Sequence, residues 1–388
     1  MQHYYVDLHI HIGRTGTGKP VKITASRSLT IPSIIQEASR RKGMDMIGII
    51  DGHVPEVLCE FEHYIETGEM MELEEGGLRY QNLTIILGSE IEIYDEHCHG
   101  PIHVLVYFGR IKEMEQFSLW LGARMKNITL SSQRIYERAS VLQEKVRELN
   151  GLFIPAHVFT PFKSLYGKGV ERSLTEVFNP LLIDGIELGL SSNTAMAGGI
   201  EELNRYSFLS NSDAHSVAKI AREYQQMKME SPSFAELKKV LKKENGRKIT
   251  ANYGLNPFLG KYYHTVCEKC FHKQSSSSQW LCAQCGHRKF IKGVSERIKE
   301  LPPTDHPISR PPYIHQVPLD FIPGIGAKTL DKLIQLVGTE MYILHEASEE
   351  ELKEYVKPSI VQLILKARKG ELDIYSGGGG IYGKVMAD

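Results

Sequence analysis

The chain has 388 residues, 41% of them hydrophobic and 24% charged, with a formal net charge of −1. Length and composition fit two or three soluble domains with real cores, and the net charge by itself says nothing about nucleic acid. No apolar run reaches the ~20 residues that span a bilayer. The start, from Met1 to Asp7, lacks the basic and apolar regions of a secretory leader, so a cytoplasmic location and no membrane partner are expected.

Short apolar, β-rich runs come at Tyr4–Ile10, Met46–Ile50, Leu83–Leu87, Ile102–Phe108, Leu152–Ile154, Gly185–Leu188 and Tyr206–Leu209. Helical spacing fills the intervals. Ile31–Arg41 follows Thr30 as N-cap, and Arg134–Leu149 stops at Asn150-Gly151. Such alternation predicts an α/β barrel or mainly parallel sheet over residues 1–255. Local charge is polarised: Glu56–Glu75 holds eight glutamates and no lysine or arginine, whereas Lys238–Lys248 is basic. A four-cysteine module is expected over 261–295, with Ser275–Ser278 as its return. A proline-rich linker or strap comes next over 296–318, then a helical domain over 319–388 that ends near Gly377–Gly380.

Residues i, i+2 and i+4 of a strand share a face, so Asp7, His9 and His11 should project together, the carboxylate orienting the imidazoles. The Asp-x-His spacing recurs at Asp51/His53 and Asp213/His215, each after an apolar run. Glu90 and His157 also follow strands, and His103 opens one. In parallel α/β folds chemistry collects at strand C-terminal ends. Mixed histidine and carboxylate ligands suit two or three divalent ions, with Zn2+ expected and Mn2+ or Mg2+ as alternatives. Ions ~3.5–4 Å apart would activate water and stabilise the leaving oxygen of a phosphate ester. Asp213 is the expected essential residue, as ligand and orienter of that water.

These motifs, in this order, resemble those of the PHP (polymerase and histidinol phosphatase) family over roughly residues 1–250. The resemblance implies a distorted (β/α)7 barrel with metals at its C-terminal mouth. It also implies that His9, His11, Glu90 and Asp213 hold one ion, Glu90, His103 and His157 a second, and His53 and His215 a third. Family members often place an acid or histidine just after the first motif. Gly13–Gly18 has neither, so two firm ions are expected rather than three. Catalysis is assigned to Asp213, Glu90, His9 and His157.

Cys267-x2-Cys270 and Cys282-x2-Cys285 match a structural Zn2+ site held by four thiolates. Further on, Pro323-Gly324-Ile325-Gly326-Ala327-Lys328 should end one helix and open backbone amides toward an anion at the start of the next. That stretch resembles the helix-hairpin-helix motif of DNA-repair proteins, with Gly324, Gly326 and Lys328 gripping phosphate. Ser26 and Arg27 are candidates for flanking phosphates. The loop after His157 offers Lys163, with Phe159, Ser164 and Tyr166 as walls for a flipped base.

Across its length the chain resembles the endonuclease Q family of prokaryotic repair enzymes. The resemblance implies a nick 5′ of deaminated bases (uracil, hypoxanthine, xanthine) and of abasic sites in DNA. A monomer is expected. A replication clamp is the other partner considered, although no sliding-clamp motif is visible. Two alternatives stand beside this reading: a small-molecule phosphatase of the histidinol-phosphate type, and a non-catalytic DNA-binding subunit.

Overall fold

The computed structural model describes residues 1–260, 262–274 and 280–372, together with the backbone of a ribbon pairing Ile374–Tyr375 with Lys384–Val385. The Ser275–Ser278 return and the Gly377–Gly380 tail lie outside the described residues. Among the described residues, no helix is long and apolar enough to cross a membrane.

Seven strands among the described residues enclose the barrel. They are β1 (Gln2–Ile10), β2 (Met46–Ile49), β3 (Leu83–Ile93), β4 (Ile102–Phe108), β5 (Leu152–Pro155), β6 (Ile186–Glu187) and β7 (Phe208–Leu209). β1, β2 and β3 run parallel, as do β6 and β7. The ring closes where Ile10 bridges Ala214 beyond β7. Val6, Leu8, Ile86, Leu105, Tyr107, Ile154 and Leu209 form one buried cluster with Leu237 and Val240 of the helix Phe234–Lys242. Ile47, Ile49, Ile85, Val104, Val106 and Phe153 belong to a second cluster with the surrounding helices. The alternation of β-branched and apolar residues along each strand thus feeds both sides of one wall.

Two features depart from a regular parallel barrel. First, β4 runs antiparallel to both β3 and β5, so its beginning, not its end, reaches the mouth. That is why His103, which opens the run, joins residues that close theirs. Second, the pairing of β1 with β2 shifts register between Asp7 and Ile10. An extra residue in a strand reverses the face taken by the residues beyond it. A Cβ on Gly48 would meet the Leu8 carbonyl oxygen at 2.2 Å, so glycine is needed opposite the bulge.

The expected helix from Arg134 begins later, at Ala139. Arg134–Ile135 pairs instead with the end of β3, because the chain must first cross the mouth beside Glu92. Outside the ring, β8 (Tyr224–Met229) pairs with β1, and β9 (Lys248–Gly254) pairs with β8. The proline-rich segment is a strap against the barrel. Its Tyr313–His315 adds a strand, β10, to β9, and Arg310 donates to the carbonyls of Leu203 and Tyr206. The C-terminal helices dock on the barrel through a buried Lys42–Glu340 pair at 2.8 Å and through His345, which stacks on Tyr5.

Candidate active site

The mouth of the barrel gathers a buried cluster of imidazoles and carboxylates. Ligand atoms of His9, His11 and Glu90 lie within 4.8 Å of one another, as do those of Glu90, His103 and His157, and those of His11, Asp213 and His215. Glu90 is shared by the first two groups. One carboxylate oxygen lies 2.9 Å from His103 Nδ1 and 3.3 Å from His157 Nε2, and the other lies 3.6 Å from His11 Nε2. Asp213 Oδ1 is 3.4 Å from His9 Nε2 and 3.7 Å from His11 Nε2. His53 is not drawn into such a group. Its Nδ1 bonds Ser89 Oγ at 2.7 Å, and its Nε2 is buried without a hydrogen-bond partner among the described residues.

The rings are aimed by carboxylates behind them. His9 Nδ1 faces Glu187 Oε1 at 2.9 Å, and His11 Nδ1 faces Asp51 Oδ2 at 3.2 Å. The Nε2 atoms of both are buried with no hydrogen-bond partner among the described residues. A carboxylate behind one nitrogen and an orphaned nitrogen in front is the arrangement of a metal-bound histidine. Burial opposes charge on His9, but Glu187, Asp213 and Glu90 outweigh it and raise the ring to about 10. The pocket thus has an excess of negative charge that divalent cations would neutralise, and these residues fit such ions.

Asp7 does not take the expected place. The bulge separates it from His9 and His11, and its carboxylate instead accepts the backbone N–H groups of Ser212 and Ala221, each at 3.0 Å. It therefore pins the loop that carries Asp213. His157 and Asp213 have φ values of 31° and 45°, a sparsely populated region for non-glycine residues that costs on the order of 1–3 kcal/mol each. Glu187 helps hold the first of them by accepting the His157 N–H at 2.8 Å.

Two residues were not anticipated. Glu187 lies in the apolar run Gly185–Leu188, where a lone buried carboxylate was the available signal. Lys22 follows Gly13–Gly18 and places its Nζ 3.0 Å from Glu90 Oε2. Burial disfavours its charge, but Glu90, Asp51 and Asp213 raise its pKa overall. The sequence carried no pattern for it. A fixed ammonium therefore lies beside the stretch that lacks the extra ligand.

The rim holds the other candidates. The Ser26 N–H donates to the His215 carbonyl at 2.7 Å, which sets the exposed Arg27 next to the mouth. Lys163 pairs with Glu92 at 2.8 Å. Phe159 and Tyr166 are buried and stacked with centroids 5.4 Å apart, Tyr166 donates to Glu202, and Ser164 donates to the Thr160 carbonyl. These three side chains build the loop itself. Phe159 and Tyr166 also line a cavity of about 920 Å3, with Phe162, the cations Lys168, Arg172, Lys289 and Lys292, and the carboxylates Glu171, Glu268 and Glu300.

In the cysteine module, Cys267 and Cys285 sulfurs lie 3.6 Å apart, and those of Cys270 and Cys282 3.5 Å apart. Zinc–sulfur bonds of about 2.3 Å give tetrahedral edges of about 3.8 Å, so the cluster is consistent with a zinc module. Each knuckle turns alike: Phe271 N–H donates to the Cys267 carbonyl and Gly286 N–H to that of Cys282, with φ of 57° and 68°. The next helix, Val294–Ile298, carries Arg297, which donates to the carbonyls of Tyr166, Val170 and Glu171. The module is thereby stitched to the loop that follows His157.

At the hairpin, Gly324 has φ 88° and Gly326 caps the helix Ala327–Leu336, with Gly324, Gly326 and Lys328 exposed. The expected helix before it is only the 3-10 turn Leu319–Phe321, because Pro318 and Pro323 leave too few residues between them for an α-helix.

A buried histidine–carboxylate cluster at the mouth of this barrel, fitted to divalent ions, defines a metal-dependent hydrolase. No family model matches the chain. The lesion-specific endonuclease PfuEndoQ from Pyrococcus furiosus is 30% identical, with a TM-score of 0.84 covering 99% of this chain and 95% of that one. An endonuclease Q bound to a 27-mer duplex substrate with an abasic lesion at the active site is 29% identical. Its TM-score is also 0.84, with 100% and 97% covered. The uncharacterized protein YqxK of Bacillus subtilis (strain 168) is 56% identical over 386 residues, 99% of this chain and 100% of the relative. The chain belongs to the endonuclease Q family.

Proposed function

We propose that the chain is a DNA-repair endonuclease that nicks the backbone 5′ of deaminated bases (uracil, hypoxanthine, xanthine) and of abasic sites. The observation that carries this reading is the full-length likeness to an endonuclease Q holding a duplex with an abasic lesion at its active site. The mouth of this barrel supports it with two ligand groups that share Glu90. When bound, divalent ions, Zn2+ first among them, would supply Lewis-acid activation of water and charge stabilisation at phosphorus. His9, His11, Glu90, His103, His157, Asp213 and His215 would hold them. Glu187 and Asp51 keep the rings in one tautomer and orientation. Asp213, the least buried carboxylate of the cluster, orients the attacking water.

The other elements serve the polymer substrate. Ser26, Arg27 and Lys163 hold phosphates flanking the cut. Gly324, Gly326 and Lys328 grip a more distant phosphate without reading sequence. The cavity between the His157 loop and the zinc module takes the flipped base, with Phe162 the exposed aromatic at its edge. The four cysteines hold a structural Zn2+.

The test is a cleavage assay on duplexes carrying one uracil, hypoxanthine, xanthine, abasic site or normal base, with and without chelator. Cleavage should be confined to the lesion duplexes and lost with chelator. Asp213→Ala should abolish it while leaving duplex binding nearly intact. Equal cleavage of the normal duplex, or full activity of Asp213→Ala, overturns the proposal.

A further inference from the structure

A second cavity, of about 450 Å3, lies on the flank of the barrel between β7, β9 and the proline-rich strap. Phe208, in its lining, opens β7, whereas Asp213 and His215 follow that strand's other end. Lys248, also in the lining, pairs with Lys228, which pairs with His3 at the start of β1. His3 precedes His9 by six residues, whereas Asn252, at the other end of the lining, pairs with Gln225 and so lies level with Val6, three residues before His9. Along the strand direction the cavity therefore runs from about 20 Å to about 10 Å from the metal cluster. It does not belong to the catalytic mouth.

Its chemistry is one-sided. Arg310, Lys243 and Lys248 line it, and among the described residues no acidic one does. Among the described residues, none of the three has a carboxylate within 4.0 Å. The Arg310 guanidinium lies over the Phe208 ring at 3.5 Å and donates to two backbone carbonyls, while its Nε is buried without a partner. Burial lowers it to about 10, and no acid opposes the shift. A half-buried cation without a counter-charge is costly. Lys243 ends the helix Phe234–Lys242 with φ 59°, a left-handed cap at which glycine or asparagine is usual.

The rest of the lining indicates the body of the ligand. Phe208, Ile249, Pro311 and Pro312 form apolar walls. Thr194 and Asn252 each keep a buried side-chain oxygen with no hydrogen-bond partner among the described residues. The volume falls in the ~300–1,000 Å3 range of small-molecule sites and exceeds what one phosphate ion fills. We propose that this flank cavity binds a small phosphate monoester of the nucleoside-monophosphate class. The three cations would hold its phosphate, the apolar walls its base, and Thr194 or Asn252 a sugar hydroxyl. The strap closes one side of the site, so occupancy would tie strap to barrel and stabilise the fold by linkage.

The experiment uses the full chain in thermal-shift and calorimetric titrations with adenosine 5′-monophosphate, adenosine, inorganic phosphate and an undamaged 12-mer duplex, at constant ionic strength. The nucleotide should raise the melting temperature in a saturable way, and adenosine and phosphate should each bind at least tenfold more weakly. A Lys243→Gly/Lys248→Ala variant, which relieves the strained cap and touches no catalytic residue, should lose at least tenfold in nucleotide affinity. Its nicking of lesion duplexes should stay unchanged. Absence of nucleotide binding, or affinity retained in the variant, overturns the proposal. So does a variant defect seen only with the duplex, which would make the flank a DNA contact. Retained nicking separates failure here from failure of the endonuclease reading.

Discussion

Substituting Glu187 by glutamine tests whether the metal cluster is aimed from behind. Its carboxylate faces only donors: His9 Nδ1 at 2.9 Å and Asn211 Nδ2 at 2.8 Å on one oxygen, and the His157 N–H at 2.8 Å on the other. An amide has one acceptor oxygen and a two-hydrogen donor. Either orientation of the substituted amide therefore turns N–H toward N–H. Each charge-assisted bond contributes about 1.5–3 kcal/mol, and the damage falls on a ligand ring and on the strained backbone of a second ligand. Loss of such an outer partner typically weakens metal binding 10–100-fold, or about 1.4–2.7 kcal/mol. Chelator competition on Glu187→Gln, with a parallel Mn2+ titration of nicking, reads this directly. Circular dichroism guards against misfolding. If the folded variant binds metal within about twofold of the parent, Glu187 does not position the ligands.

Cys282→Ser should release the module's metal, lower the melting temperature and slow nicking, because Arg297 would no longer brace the loop after His157. Metal content together with activity checks this, and unchanged activity in the metal-free variant would remove the link. Glu223 is buried at the junction of β8, β9 and the strap, and burial raises it from 4.5 to about 8. Between those values the unfolded chain has released a proton that the folded chain keeps. Stability should therefore fall as pH rises, by up to about 1.4 kcal/mol per unit. Urea unfolding from pH 5 to 8 should show that slope in the parent and a flatter one in Glu223→Gln; equal slopes would refute the assignment. Lys328→Ala should weaken binding to damaged and undamaged duplex alike and reduce the slope of log affinity against log salt by about 1. A preserved slope would take Lys328 off the phosphate backbone.

The sequence carried the barrel because each strand is an apolar run with a chemically distinct residue at its rim. His9, His11, Glu90, His103, His157, Asp213 and His215 all converge in the structure. The failures had local causes. Counting by twos put Asp7 with the histidines, and only pairing with β2 reveals the bulge. Helical spacing in Arg134–Leu149 concealed a strand at its start, because two residues are too few to show alternation. Glu187 was legible in principle as a buried acid in an apolar run. Lys22 was not, because a loop residue's reach is decided by the loop's path. Phe159 and Tyr166, picked for closeness in sequence to His157, stack in the loop's core and also line the cavity beside it, whereas Ser164 bonds within the loop.

The bulge in β1 makes catalysis and folding depend on one phase. Upstream of it, Val6 points to the inner core cluster; downstream, Ile10 joins the outer one, and the two histidines take the inner positions. Deleting a single codon at Leu8 would leave nearly every hydrophobic residue and every ligand in the gene, yet set the two halves of the strand out of step. Either the apolar rows or the imidazoles could then face inward, but not both. The reading frame of the strand, as much as the identity of its residues, is what encodes the metal site.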